Sequence, residues 1–425
     1  HLLVQAGTGT GKSLAYLVPA LVHGKKVLVA TATLALQRQL IERDLPKIKA
    51  ALDKELKRDI SFAIYKGVGN YICLQKMNNA ANDPEGEMIL EISSLEADAK
   101  RLRAWAQSPG ASGDRDDAPE VDRRVWAANS VSGRECIGAD DCPSGSKCFA
   151  ALAKAKAQTA DIVVTNHTLL AIEIVDSHPI LPERDAIILD EAHHCPATTF
   201  AGTVDAFHAR YRIALSGTMI RKDGKHILFD DYFGSTVYRP PQSNTLPPVV
   251  HLVKSNITLK PGATWVEKIN DLTQNDNYRK FISYIANIQI AQGHSVLIIA
   301  DRVEFLEKVK EYIGDTCLLV TGETSFEQRQ KAKEQLLNKE KMCVAGSRQI
   351  FSEGISINVL SCVILAVPMS NDSLLEQIVG RIMRPYENKL SPLVVDIQFA
   401  GWADKKQNND RLGLYLRKGW EVETV

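Results

Sequence analysis

The chain has 425 residues, 45% of them apolar and 24% charged, the composition of a folded globular protein with room for two or three domains. Lys plus Arg and Asp plus Glu both number 51, so no bulk basicity marks a nucleic-acid partner; any such contact has to come from local placement of charge and backbone amides. No apolar run approaches bilayer length and no signal-peptide pattern is present, which predicts a cytoplasmic protein without membrane contact.

His1-Leu2-Leu3-Val4 reads as a strand running straight into a loop, and with no initiator Met the true N-terminus is expected further upstream. The loop is Ala6-Gly7-Thr8-Gly9-Thr10-Gly11-Lys12-Ser13, and a helical segment follows it. Strand, glycine-rich loop and helix form the context that a Walker A phosphate loop requires. Glycines let the backbone wrap close to an anion, so successive N–H groups and the helix N-terminus face it. ATP and Mg²⁺ are the expected ligands, with Lys12 reaching the β- and γ-phosphates and the Ser13 hydroxyl binding the metal. Ala6 stands where the strict pattern has glycine.

Further along, apolar β-branched runs alternate with helical stretches. They are Lys26-Val27-Leu28-Val29-Ala30, Asp161-Ile162-Val163-Val164-Thr165, Ala186-Ile187-Ile188-Leu189-Asp190 and Arg212-Ile213-Ala214-Leu215. The pattern resumes at Ser295-Val296-Leu297-Ile298-Ile299, Cys317-Leu318-Leu319-Val320, Cys362-Val363-Ile364-Leu365 and Leu393-Val394-Val395-Asp396. Runs this apolar suit strands buried on both faces, so the predicted fold class is α/β, in two lobes with parallel sheets. The expected boundaries are 1–225 for the first lobe, 226–262 for a Pro- and Asn-rich linker and 263–425 for the second lobe.

Residues 66–155 break the alternation and read as an insertion in the first lobe. They carry a long amphipathic helix candidate at Glu87–Gln107, the polar loop Gly113-Asp114-Arg115-Asp116-Asp117, and a cysteine cluster. Eight cysteines in a chain of this size are not a secreted disulfide scaffold. Cys195, Cys317, Cys343 and Cys362 are scattered and read as small buried hydrophobes. Cys73, Cys136, Cys142 and Cys148 fit none of the CxxC pairs of common zinc ribbons, and four thiolates are the usual complement of a cubane cluster. Structural zinc and unrelated free thiols are the alternatives. A loop-rich insertion with little core would need such a staple.

Asp190-Glu191-Ala192-His193 closes the run Ala186–Leu189. A carboxylate at the C-terminal end of a buried strand is where Mg²⁺ beside a phosphate loop needs a ligand. Asp190 is expected to hold the metal through water, and Glu191 to orient and deprotonate the attacking water.

With this Walker A loop, Asp190-Glu191-Ala192-His193 resembles the DEAH box of superfamily 2 helicases, which are built from two RecA-like P-loop NTPase lobes. The first half is similar to the XPD/DinG branch through Thr31-Ala32-Thr33 with Leu36-Gln37, Lys66-Gly67 with Asn70-Tyr71-Ile72-Cys73, and Ala160-Asp161-Ile162-Val163-Val164-Thr165-Asn166-His167. That resemblance implies a 4Fe-4S cluster held by Cys73, Cys136, Cys142 and Cys148. The second half resembles phage UvsW-type helicases. The segments Gly346-Ser347-Arg348-Gln349 and Phe351-Ser352-Glu353-Gly354-Ile355-Ser356 look like motif V. Gln377-Ile378-Val379-Gly380-Arg381-Ile382-Met383-Arg384-Pro385 looks like motif VI. Ala214-Leu215-Ser216-Gly217-Thr218 looks like motif III.

The resemblance implies an ATP-dependent DNA helicase acting on single-stranded and on branched or forked DNA, in DNA repair, with RNA as an open alternative. Arg381 and Arg384 would be arginine fingers, with Gln377 near the γ-phosphate. Thr33, Asn166 and Thr321 would contact the strand, and Gly354 is a candidate for nucleotide and strand alike. Two departures stand out. Only 22 residues separate His193 from Ser216, too few for the helical Arch domain of the XPD/DinG branch, and the upstream adenine-reading segment is absent. A junction between two helicase styles near Val204–Phe207 would account for both halves. Rival readings are an ATP-gated nucleic-acid remodelling or annealing factor and a redox-responsive binding protein without productive unwinding.

Overall fold

The computed structural model describes residues 1–6, 11–81, 93–175, 180–192, 209–217, 233–240, 245–259, 262–353, 357–369, 372–400 and 402–425. The chain divides into two compact units, one holding residues 13–215 and the other 237–425.

The first sheet contains β1 (Leu2–Gln5), β2 (Val27–Thr31), β3 (Phe62–Ile64), β4 (Ile162–Asn166), β5 (Ala186–Asp190), β6 (Tyr211–Ser216) and β7 (Val237–Tyr238). The second contains β8 (Val249–Lys254), β9 (Val296–Ala300), β10 (Cys317–Val320), β11 (Cys343–Ser347), β12 (Cys362–Leu365), β13 (Leu393–Gln398) and β14 (Glu421–Thr424). Their orders are β3-β4-β2-β5-β6-β1-β7 and β10-β11-β9-β12-β13-β8-β14. Counted from its own first strand, each sheet has the same permutation, so the fold is one topology used twice. The pairings β3–β4, β4–β2, β2–β5 and β5–β6 are parallel, as are all six pairings of the second sheet. The α/β, parallel-sheet expectation for both lobes is met.

Burial explains why these runs are so apolar. All five residues of β2, β5 and β9 are buried. In the second sheet Val296, Ile298 and Ala300 join one core cluster while Leu297 and Ile299 join another. Alternate side chains therefore face two helical layers, and no position along the strand is free to be polar.

Two expectations change. Residues 226–262, read as a linker, include β7 and β8, and β8 pairs with both β13 and β14. His251 and Lys254 interrupt its apolar pattern; the His251 ring meets Glu423 of β14 at 3.2 Å, which is why a polar residue is tolerated there. The insertion lies between β3 and β4, and it has a core of its own. Ile72, Met77, Leu95, Leu102, Ala106, Val125 and Trp126 are buried together, with Phe149 packed against them. Gly113 has φ +68°, and any side chain there would run into the Phe149 ring. The predicted helix at Glu87–Gln107 is observed as Ser93–Ala106, residues 82–92 lying outside the described set. Among the described residues no helix is long and apolar enough to cross a membrane.

Candidate nucleotide and strand sites

β1 delivers the chain to Ala6, whose N–H donates to the Ser216 carbonyl at the end of β6 (2.9 Å). Gly7, Thr8, Gly9 and Thr10 lie outside the described residues. Gly11 has φ +78°, a conformation that favours glycine, and the helix Lys12–Val22 begins directly after it. Lys12 and Ser13 are thus the first two residues of a helix with no acidic side chain in its first turn. The backbone amides and dipole of a helix start leave the local field positive.

Asp190 ends β5 and is only 2% exposed. Its two oxygens have separate partners: the Tyr16 hydroxyl donates to Oδ2 at 3.0 Å, and the Glu191 N–H donates to Oδ1 at 3.0 Å. Burial, then the Asp190 charge, push the Tyr16 phenol far above its ordinary pKa, so it stays protonated and remains a donor. Glu191 sits at φ +56°, left-handed backbone that a non-glycine residue adopts at a cost of about 1–3 kcal/mol. The turn holds the Glu191 side chain half-buried while Ala192 is buried behind it. Ser13 and Asp190 offer the hard oxygen donors that Mg²⁺ takes. His193 and Thr218 lie outside the described residues.

Thr33 follows β2 and Asn166 ends β4, its parallel neighbour, in which Thr31 pairs with Asn166. Both cap helices. The Thr33 hydroxyl accepts the Leu36 N–H at 3.3 Å, and the Asn166 side-chain oxygen accepts the Leu169 N–H at 2.6 Å. The structure thereby brings two residues expected to contact the strand to the C-terminal ends of adjacent strands of the first sheet.

In the second unit Thr321 follows β10; it is buried, and its N–H donates to the Thr324 hydroxyl at 2.9 Å. Gln377 and Arg381 lie one turn apart on the helix Asp372–Ile382 and are each 7% exposed. Arg384 follows the helix end, and its carbonyl accepts the Lys389 ammonium at 2.7 Å. Gly354 lies outside the described residues.

Cys73, Cys136, Cys142 and Cys148 are half-exposed free thiols, whereas Cys317, Cys343 and Cys362 are buried. Cys195 lies outside the described residues. The Cys73 N–H donates to the Asn129 carbonyl at 2.8 Å, and the Ser144 hydroxyl donates to Gln75 Oε1 at 2.9 Å. The second bond ties the Cys142–Cys148 loop to the helix that follows Cys73. Gly145 packs so tightly against the Ala139 backbone that no side chain fits there. Among the described residues no three His, Cys, Asp or Glu side chains are grouped so as to hold a metal ion.

Three features escaped the sequence reading. Tyr16 stands three and four residues after Ser13 and Lys12, so helical spacing alone places it on their face. The insertion is joined to the end of β3 by Lys66, whose ammonium meets Asp114 and Asp116. Lys389 returns onto the Arg384 carbonyl through a turn in which Asn388 has φ +56°.

Residues 1–79 match the family described as DEAD/DEAH box helicase, 129–221 the type III restriction enzyme, res subunit, and 277–386 the helicase conserved C-terminal domain. The probable helicase D10 of Escherichia phage T5 is 37% identical over 271 residues, which is 62% of this chain and 59% of that protein. The ATP-dependent helicase DinG of Mycobacterium tuberculosis is 50% identical over 207 residues, 45% of this chain and 31% of that protein. The chain therefore spans less than two thirds of either relative. Among solved structures, helicase MrfA bound to DNA matches all of this chain and 47% of its own, with TM-score 0.59 at 13% identity, a likeness of fold alone.

Proposed function

Because this chain belongs to the superfamily 2 helicases, related to DinG and to phage helicases, we propose that it couples ATP hydrolysis to movement along single-stranded DNA and to separation of duplex DNA. The observation that carries this reading is the helix start at Lys12 and Ser13, linked through Tyr16 to the buried Asp190 at the end of β5. Lys12 and the helix amides bind the phosphates. Ser13 and Asp190 hold Mg²⁺, which when bound neutralises phosphate charge. Glu191 orients the attacking water and accepts its proton. Arg381 and Arg384 supply the charge that an arginine finger brings to the transition state, and Gln377 attends the γ-phosphate.

Thr33, Asn166, Thr321 and Gly354 are the proposed strand contacts. The hydroxyl of Thr33 and the amide of Asn166 are committed to helix caps, so phosphates would meet the helix starts these caps organise. Binding of this kind positions a strand without reading its sequence, and it weakens with salt by a log–log slope near about −0.7 per phosphate neutralised. Branched or forked DNA in repair is the proposed setting.

Cys73, Cys136, Cys142 and Cys148 are the proposed ligands of a 4Fe-4S cluster. Four half-exposed free thiols within the insertion are the usual complement of a cubane. Bound there, the cluster would cross-link the loops of the insertion.

ATPase rates with and without single-stranded DNA, and unwinding of duplexes with 5′ or 3′ overhangs, test the proposal. Stimulation by the strand and separation of one overhang polarity are expected, both lost in Lys12→Ala and Glu191→Gln. Stimulation without separation would instead identify a remodelling or annealing factor. Intact ATP binding with no stimulation would identify a binding protein.

A further inference from the structure

Tyr16 is buried, and its hydroxyl donates to Asp190 Oδ2 at 3.0 Å. Ser13 stands three residues before Tyr16 on the same helix, on the face that carries this hydroxyl. A phenol has one proton to give and lone pairs to receive another, so Tyr16 can accept from Ser13 while donating to Asp190. That matters for a serine that binds a cation. Its oxygen must turn a lone pair toward the metal, and its proton must then point elsewhere, to an acceptor. Tyr16 is such an acceptor within the first turn of the same helix. On the far side of the relay, the Glu191 N–H holds the other Asp190 oxygen, so the carboxylate plane is pinned from both ends.

From this geometry, and resting on the ATPase reading above, we infer that Tyr16 is a positioning residue for the magnesium ligands. Its hydroxyl fixes the plane of Asp190 and offers the Ser13 proton an acceptor one turn away. Partners of metal ligands commonly alter metal affinity by about 10-fold to 100-fold when removed. The phenol ring itself does different work: it is buried, as are Leu17 and Leu21 of the same helix. The two roles separate cleanly in Tyr16→Phe, which keeps the ring and deletes only the oxygen.

The experiment is calorimetric titration of wild-type, Tyr16→Phe and Asp190→Asn proteins with ADP, once in Mg²⁺ and once in EDTA. For Tyr16→Phe, affinity for ADP in Mg²⁺ should fall about 10-fold, while affinity in EDTA stays at the wild-type value and shows that the protein is folded. The Mg²⁺ concentration giving half-maximal ATPase should rise in step. Equal weakening with and without the metal would reduce Tyr16 to a packing residue and overturn the inference. So would a Tyr16→Phe protein with wild-type magnesium response while Asp190→Asn loses it. If Asp190→Asn also keeps the wild-type response, the magnesium reading of the site falls, and the inference with it.

Discussion

The Lys66 ammonium sits 2.7 Å from Asp114 Oδ1 and 2.5 Å from Oδ2, with the lysine 2% and the aspartate 6% exposed. Asp116 adds a third carboxylate oxygen at 2.7 Å, and Arg38, on the helix just after Thr33, donates to the Asp116 carbonyl. One buried cation thus fastens the insertion to the end of β3, and the half-buried Arg38 links it to the segment that carries a proposed strand contact. Removing one partner of a buried pair strands the other's charge, at a cost of about 3–5 kcal/mol. Lys66→Met should therefore lower the urea midpoint markedly. Burial already raises the Asp114 pKa despite the lysine beside it. With a raised folded-state pKa, ionised Asp114 costs stability above that value and the cost is relieved as pH falls. The gap between wild type and Lys66→Met should accordingly narrow in acid. A gap that widens would mean the pair is not the anchor.

Lys389 offers a test on the other side of neutrality. Burial first, and the neighbouring Arg384 charge second, lower its pKa to about 8, while its ammonium bonds the Arg384 and Asn358 carbonyls. Between about pH 8 and the ordinary lysine value of about 10.4, the unfolded chain holds more protons than the folded one. Stability from this group therefore rises with pH across that window. Denaturant midpoints of wild type and Lys389→Met should diverge in favour of wild type from about pH 8 upward. Parallel curves would show that Lys389 titrates as a solvated side chain.

The phosphate loop and Asp190-Glu191 were legible because each is a short pattern locked to a strand end, and β2, β5 and β9 because burial on both faces leaves no polar position. β8 was not. His251 finds its partner in Glu423, more than a hundred residues away, so the polar interruption looks like linker until the sheet is known. The insertion hid its core for a similar reason: Ile72, Met77, Leu95, Leu102 and Trp126 come from separate segments with no common period. Asp114 and Asp116 read as a solvated loop because nothing local announces that Lys66 will be buried against them. Tyr16 was within reach, since its spacing from Lys12 and Ser13 is helical, but its bond to Asp190 spans 174 residues.

Loss of one thiol should separate the cluster from the fold of the insertion. Cys136→Ser or Cys148→Ser is expected to abolish bound iron, acid-labile sulfide and the visible absorbance band of anaerobically purified protein. Helical content should survive, because Val125, Trp126 and Leu102 are buried without reference to the cysteines. ATPase without DNA should survive too, since Lys12, Asp190 and Glu191 owe none of the contacts described for them to the insertion. Fork unwinding is the activity expected to drop. Wild-type protein carrying zinc, or no metal at all, would show that these cysteines hold no cluster.

Arg381 lies on a helix whose packing is done by its neighbours: Ile378, Val379 and Ile382 are core residues, while Gln377 and Arg381, one turn apart, occupy the adjoining stripe. Lysine at this position conserves the charge and most of the stem, but it loses the planar fork that grips phosphate at two points. Arg381→Lys should then fold normally and bind ATP with little change, yet hydrolyse it about 10³-fold more slowly, the scale on which an arginine finger acts. Arg384→Lys should behave alike. Its backbone is held by Lys389 whatever the side chain, so any loss belongs to the guanidinium. Single-turnover hydrolysis beside equilibrium nucleotide binding distinguishes the cases. Full rates in both variants would strip these arginines of a role in the chemistry, whereas weakened binding at an unchanged rate would make them ground-state anchors of the nucleotide.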